Sequence, residues 1–285
     1  MPDILTQTFM QHAVLAALLV SLACGVIGVL VVVNRLVFLA GGVAHSAYGG
    51  VGLAFYTGLP VLPTTGLFTG GAALLLGLLT RRRRERSDTL IGVLWAGGMA
   101  FGIILLNLTP GYNTDLMSYL FGSILTVTTR DLWLMLAADV LILALTLYYF
   151  RDILSFSFDP DFARSRGIPV DGLHLMLLVM IAEAVVMMIQ VVGLILVIAL
   201  LTIPPYLAER HTRTLHGMMV AAGLWSALFC LLGLWAAYLF DLSSGASIIA
   251  VACLGFLLIA GIMQLRRRLA RIEPSAPVPV RTDEG

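Results

Sequence analysis

Long apolar runs broken by short polar stretches repeat along the chain from residue 12 to residue 265. Runs near 20 residues match the length a helix needs to cross the hydrocarbon of a bilayer. The pattern predicts membrane segments at 12–33, 43–58, 62–80, 89–108, 132–150, 173–191, 194–208, 217–240 and 248–265. The stretch 173–208 is too long for one crossing, and arginines flank it on both sides, at Arg164 and Arg166 before and Arg210 and Arg213 after. Both flanks therefore lie on one side, and a turn near Val192-Gly193 splits the stretch into one full helix and a shorter returning half. The expected fold is all-α, a polytopic transmembrane helical bundle of about eight or nine segments.

Arginine placement sets the orientation, because positive charge near membrane ends stays cytoplasmic. With the N-terminus outside and the C-terminus inside, Arg35, the run Arg81 to Arg86, Arg151, Arg164, Arg166, Arg210, Arg213 and the arginines from Arg266 onward all face the cytoplasm, and only Arg130 lies outside. Residues 1–271 read as a single membrane domain. Residues 272–285, rich in proline and charge without apolar periodicity, read as a disordered cytoplasmic tail.

Composition agrees with a membrane protein. Hydrophobic residues make up 60% of the 285 positions and charged residues 12%, against roughly 45–50% and 25% in soluble domains. The basic residues number 17 and every one is arginine. A phosphate-cradling loop needs its lysine to reach the nucleotide, so any ATP used must be bound by another chain. The run R81-R-R-R-E-R86 is read as an orientation signal rather than a nucleic-acid patch. Cys24, Cys230 and Cys253 fall inside apolar segments without paired or metal-type spacing and read as small hydrophobes. No nucleophile arrangement points to an enzyme.

The candidate chemistry starts in G41-G-V-A-H-S-A-Y-G-G-V-G52. Wound as a helix, this stretch aligns Gly42, Ser46, Gly50 and Ala54 in a stripe where another helix can approach closely. Gly41, His45 and Gly49 form the adjacent stripe, which leaves room beside the imidazole. An intramembrane histidine is either a ligand on an ion path or a hydrogen-bonding strut between helices. Glu183, near the bilayer middle, carries the same two readings. Asp115 sits in the outer loop between the fourth and fifth segments. The methionines around Glu183 are read as core filling rather than soft-metal ligands. The stretch T202-I-P-P-Y-L-A-E-R-H-T-R213 is expected to break its helix at the tandem prolines and to turn charged on the cytoplasmic side, either as a docking element or as an ordinary loop.

Several motifs in order carry a family resemblance: V43-A-H-S-A-Y-G-G-V-G52, D88-T-L-I-G92, D115-L-M-S-Y-L-F-G-S-I-L125, F162-A-R-S-R-G167, V192-G-L-I-L-V-I-A-L-L-T-I203 followed by Pro204 and Pro205, and D241-L-S-S-G-A246. The chain resembles the integral-membrane permease of bacterial zinc/manganese/iron ABC importers, closest to the zinc-importer permeases, with a type II ABC importer fold. The resemblance implies a homodimer in the bacterial inner membrane, two cytoplasmic ATP-binding subunits and an extracytoplasmic solute-binding protein that delivers the ion. It implies Zn2+, with Mn2+ or Fe2+ as alternatives, as the substrate, and no permanently bound cofactor. It also makes Ile203, Pro204, Pro205, Glu209 and Arg210 the element that couples to the ATPase. His45, Asp115 and Glu183 become transient metal ligands on the path. One departure stands out. The family often has an aspartate one turn before the histidine, and here that position is Gly41. The competing expectations are a siderophore or cobalamin-type ABC permease and a gradient-driven secondary transporter.

Overall fold

The computed structural model describes residues 7–80, 87–110, 122, 124, 127–193 and 197–272. Helix α1 spans Thr8–Val33 and includes a π turn at Cys24–Gly28. There follow α2 (Val37–Thr57), α3 (Val61–Thr80), α4 (Ser87–Leu108), α5 (Thr129–Tyr148) and two short helices, α6 (Phe150–Phe158) and α7 (Pro160–Ser165). Then come α8 (Val170–Val192), α9 (Val197–Glu209), α10 (Leu215–Phe240) and α11 (Ser244–Ile272). Eight of these helices are long and apolar enough to cross a membrane, and α9 is a shorter apolar helix. The fold is an all-α polytopic bundle, as the hydrophobic pattern indicates. The arginine run at 81–86 and the tail from residue 273 lie outside the described residues.

The turn expected near Val192-Gly193 is present. Gly193 takes φ 82°, a left-handed-side conformation that glycine reaches without strain, and its N–H bonds back to the Ile189 carbonyl. The tandem prolines do not end their helix. Pro204 and Pro205 sit buried inside α9, which continues to Glu209. Pro205 packs on the π turn of α1, where a Cβ at Gly28 would come within 2.9 Å of its Cγ. Burial against α1 holds the helix together where proline removes backbone hydrogen bonds, so the expectation of a break there is corrected.

The bundle holds together by close backbone approach. A Cβ at Gly98 of α4 would lie 2.6 Å from the Ser46 Cα of α2, and one at Gly50 would lie 2.7 Å from the Thr65 Cα of α3. Side chains larger than hydrogen would force these helices apart. Gly25 plays the same part between α1 and α10, since a Cβ there would lie 2.8 Å from the Met219 carbonyl oxygen. Below these contacts Leu39, Val43, Ala73, Leu76, Ile91 and Leu178 close a small apolar core between α2, α3, α4 and α8.

Polar contacts fasten both ends. At one end Asn34 Nδ2 donates to the Leu30 carbonyl and to Ser157 Oγ at 3.1 Å, joining α1 to α6. Arg164 of α7 pairs with Asp171 of α8 at 3.1 Å. At the other end the Ile124 N–H donates to Ser244 Oγ, and a capping box at Thr128 and Asp131 starts α5. That box satisfies two helix-end N–H groups at once.

Gly98→Leu is therefore expected to wedge α4 from α2 and to cost about 1–3 kcal/mol through overpacking. The check is the yield and thermal midpoint of detergent-purified protein, with Gly97→Leu as control because nothing lies within 4 Å of a Cβ at that position.

Candidate functional site

His45 sits on α2, a helix that packs against α3, α4, α8 and α9. Its ring stacks on the indole of Trp95 of α4, with centroids 4.1 Å apart and planes 13° apart. The room that flanking glycines were expected to leave beside the imidazole is thus taken on one face by an aromatic ring. The Nδ1 atom is buried and has no hydrogen-bond partner among the described residues. That argues against the strut reading through Nδ1, because a buried polar atom kept for structure is normally bonded. Trp95 also lines a cavity of about 560 Å³ together with Arg35, Phe38, Gly41 and Ile198.

At position 41 a Cβ would lie 3.0 Å from Ile198 Cδ1 of α9, the flexible end of that side chain. A side chain one turn before His45 would have to turn the tip of Ile198 aside.

Glu183 projects from α8 toward α3. Its carboxylate lies 3.0 Å from the Cβ position of Gly66 and 3.4 Å from that of Gly70. Next to these glycines, the Oγ1 atoms of Thr65 and Thr69 are buried without hydrogen-bond partners. The absence of side chains at 66 and 70 gives the carboxylate its place between the helices. His45 and Glu183 thus belong to one four-helix cluster, α2, α3, α4 and α8. Among the described residues no three His, Cys, Asp or Glu side chains converge into a metal centre. Asp115 lies outside the described residues.

At the end of the bundle carrying Arg35, a larger cavity of about 890 Å³ is bordered by Asn34, Asp88, Ser157, Arg164, Asp171 and His174. It reaches up to Phe38 and Leu39, about two helical turns from His45. Helix α9 finishes at the same end. Its Glu209 and the adjacent Arg210 are exposed, and the Arg210 guanidinium stacks on the Tyr206 ring, donates to its hydroxyl and reaches Met263 Sδ of α11.

Two residues escaped the sequence reading. Trp95 had no signal in segments read as starting at 43 and 89; only the structural helix starts at Val37 and Ser87 place His45 and Trp95 each eight residues in, on helices that enter from the same side. Equal depth on neighbouring parallel helices brings the rings together. Asp139 of α5 was a lone carboxyl in an apolar run, which marks a position for attention in any membrane helix. It is only 2% exposed, and neither carboxyl oxygen has a hydrogen-bond partner. Cys24 lies within electrostatic range of it, and the Cys24 thiol contacts Met188 Sδ at 3.6 Å.

A polytopic helical bundle with an unpartnered imidazole nitrogen in its interior and cavities at one end has the form of a membrane transport component. The chain belongs to the ABC 3 transport family, whose model matches residues 6–263. It is 50% identical to the membrane protein slr2045 of Synechocystis sp. over 90% of this chain and 92% of that one. It is 32% identical to the manganese transport system membrane protein MntC of Halalkalibacterium halodurans, covering 88% and 86%. The solved structure of PsaBC from Streptococcus pneumoniae in complex with Fab superposes with a TM-score of 0.82 at 30% identity, covering 90% of this chain and 93% of that one.

Because the Asp139 carboxyl oxygens bond to nothing, Asp139→Asn is expected to leave folding and assembly intact, measured as monodisperse yield and thermal midpoint. Removing the acid from an unpartnered buried site costs little. A loss of more than about 2 kcal/mol, the scale of a charged hydrogen bond, would show that the acid is held by a partner.

Proposed function

We propose that this chain is the permease subunit of an ATP-driven importer of divalent transition-metal ions, with His45 as a ligand on the path. The observation that carries the reading is the unpartnered, buried Nδ1 of His45 in a fold of the ABC 3 transport family. With the ring proton on Nε2, an Nδ1 with no competing proton donor offers its lone pair to a passing cation. Glu183 supplies a carboxylate on a facing helix, and Asp115 serves as an outer ligand. Such weak, incomplete coordination suits a path, since tight binding would stop release.

Two copies of the chain form the complete pathway, with a metal-delivering protein docked outside and two ATP-binding subunits on the cytoplasmic face. The N-terminus is outside and the Arg35 end is cytoplasmic, in keeping with the arginine distribution. The 890 Å³ cavity at that end then serves as the exit vestibule. ATP binding and hydrolysis in the partner subunits drive alternating access through the end of α9, from Ile203 through Pro204 and Pro205 to Glu209 and Arg210.

Imidazole and carboxylate ligands serve zinc, manganese and iron alike. Zinc suits the imidazole best, and the manganese systems named among the relatives put manganese beside it. Elemental mass spectrometry of a deletion strain grown under metal limitation should show a fall in one of these ions that the wild-type gene restores. His45→Ala should restore it only in part while reaching normal membrane levels. Unchanged content of all three metals in the deletion strain would remove the metal-import reading.

The coupling assignment has its own test. Glu209→Arg reverses an exposed charge and leaves the Arg210 tether to Tyr206 and Met263 in place. It should weaken co-purification with the ATP-binding subunits by at least several-fold. An intact complex with normal uptake would move the contact elsewhere.

A further inference from the structure

We propose that Trp95 is a positioning residue that aims the His45 ring at the transported cation; this rests on the reading of His45 as a ligand. A metal ion approaches imidazole in the ring plane, along the nitrogen lone pair. Stacking covers the face of the ring and not its edge, and fixes the plane in which the two nitrogens point, with Nδ1 turned into the bundle interior. The 4.1 Å centroid separation and 13° tilt are those of a face-to-face stack. With glycines one turn before and after it, the imidazole gets little lateral support from its own helix. The side of Gly41 meets only the flexible end of Ile198, and Gly49 faces Phe68.

The surroundings of Trp95 favour positioning over core filling. Its residue is half-buried, and the ring belongs to none of the buried apolar clusters, although Leu94 and Ile91 of the same helix pack into one. It lines the 560 Å³ cavity instead. Its other ring contact is a tilted one to Phe38, at 6.3 Å. Shortening this side chain therefore removes the stack and leaves the packed core intact.

The test uses the assembled transporter, permease with its ATP-binding subunits, in liposomes. Initial uptake rates of Mn2+ and Zn2+ are measured for the wild type, Trp95→Phe, Trp95→Ala and His45→Ala. Trp95→Ala should raise KM about two- to tenfold, the scale of one aromatic stack, with the maximal rate preserved. Trp95→Phe keeps a face for the imidazole and should restore KM to within about twofold. In a protein whose Trp133, Trp225 and Trp235 are replaced by phenylalanine, Co2+ should quench the remaining indole emission, and His45→Ala should abolish that quenching. An unchanged KM in Trp95→Ala, or a Trp95→Phe protein as impaired as the alanine variant, overturns the proposal. If Trp95→Ala fails to assemble, the phenylalanine variant and the quenching decide alone, and absence of quenching overturns it. Should His45→Ala leave KM and quenching untouched, the ligand reading of His45 falls with it. An effect of His45→Ala without one of Trp95→Ala removes only the role of Trp95.

Discussion

Everything in this molecule depends on how closely helix backbones can approach in a solvent that offers no hydrophobic reward for doing so. Lipid tails are as apolar as leucine, so helices in a membrane are held by packing at short range. The contact between α2 and α4 meets that requirement with glycine against backbone: Gly98 on Ser46, and Gly102 on Tyr48 and Gly49. Gly50 repeats it toward α3 through Thr65. A helix fixed on two sides in this way cannot rotate, so the direction of His45 is fixed with it. The same economy gives Glu183 its place, because Gly66 and Gly70 leave a slot where side chains would otherwise stand.

Close packing has a second consequence. Where glycine faces a neighbouring helix, either backbone or a single side chain fills the groove, as Phe68 does on Gly49 and Pro205 on Gly28. At the π turn of α1, Gly25 and Gly28 meet α10 and α9 in the same manner, and π turns are found often at functional sites. Helix α9 meets that turn through Pro205 and the Leu201 carbonyl on Gly28. The four-helix cluster around His45 and the cluster around the α1 turn are joined through α9, whose Ile198 faces Gly41 and whose Pro205 faces Gly28.

Much of this was legible in the sequence. The spans followed from apolar length, and the return at Gly193 followed from arginines on both flanks of one long stretch. The stripe Gly42, Ser46 and Gly50 was readable as a contact face because helical spacing alone aligns it. The pairing of faces was not readable. Nothing in the sequence tells that Gly98 rather than Gly97 meets Ser46, and the two differ only by which way the helix is turned. Trp95 followed from depth only once the structural helix starts were known and α2 and α4 were known to be neighbours. The prolines misled because the cost of a missing N–H is local while the burial that offsets it comes from a distant helix.

The glycine at position 41 joins these levels. In sequence it is a glycine where the family resemblance led to the expectation of an aspartate. In the structure the flexible end of Ile198 faces it, from a helix that ends at the face proposed to meet the ATPase. A cation at His45 would then lie one side chain away from the element proposed to be driven by ATP, with no carboxylate one turn before the imidazole. Motion of α9 would change the floor of the site directly, with no intervening layer to absorb it.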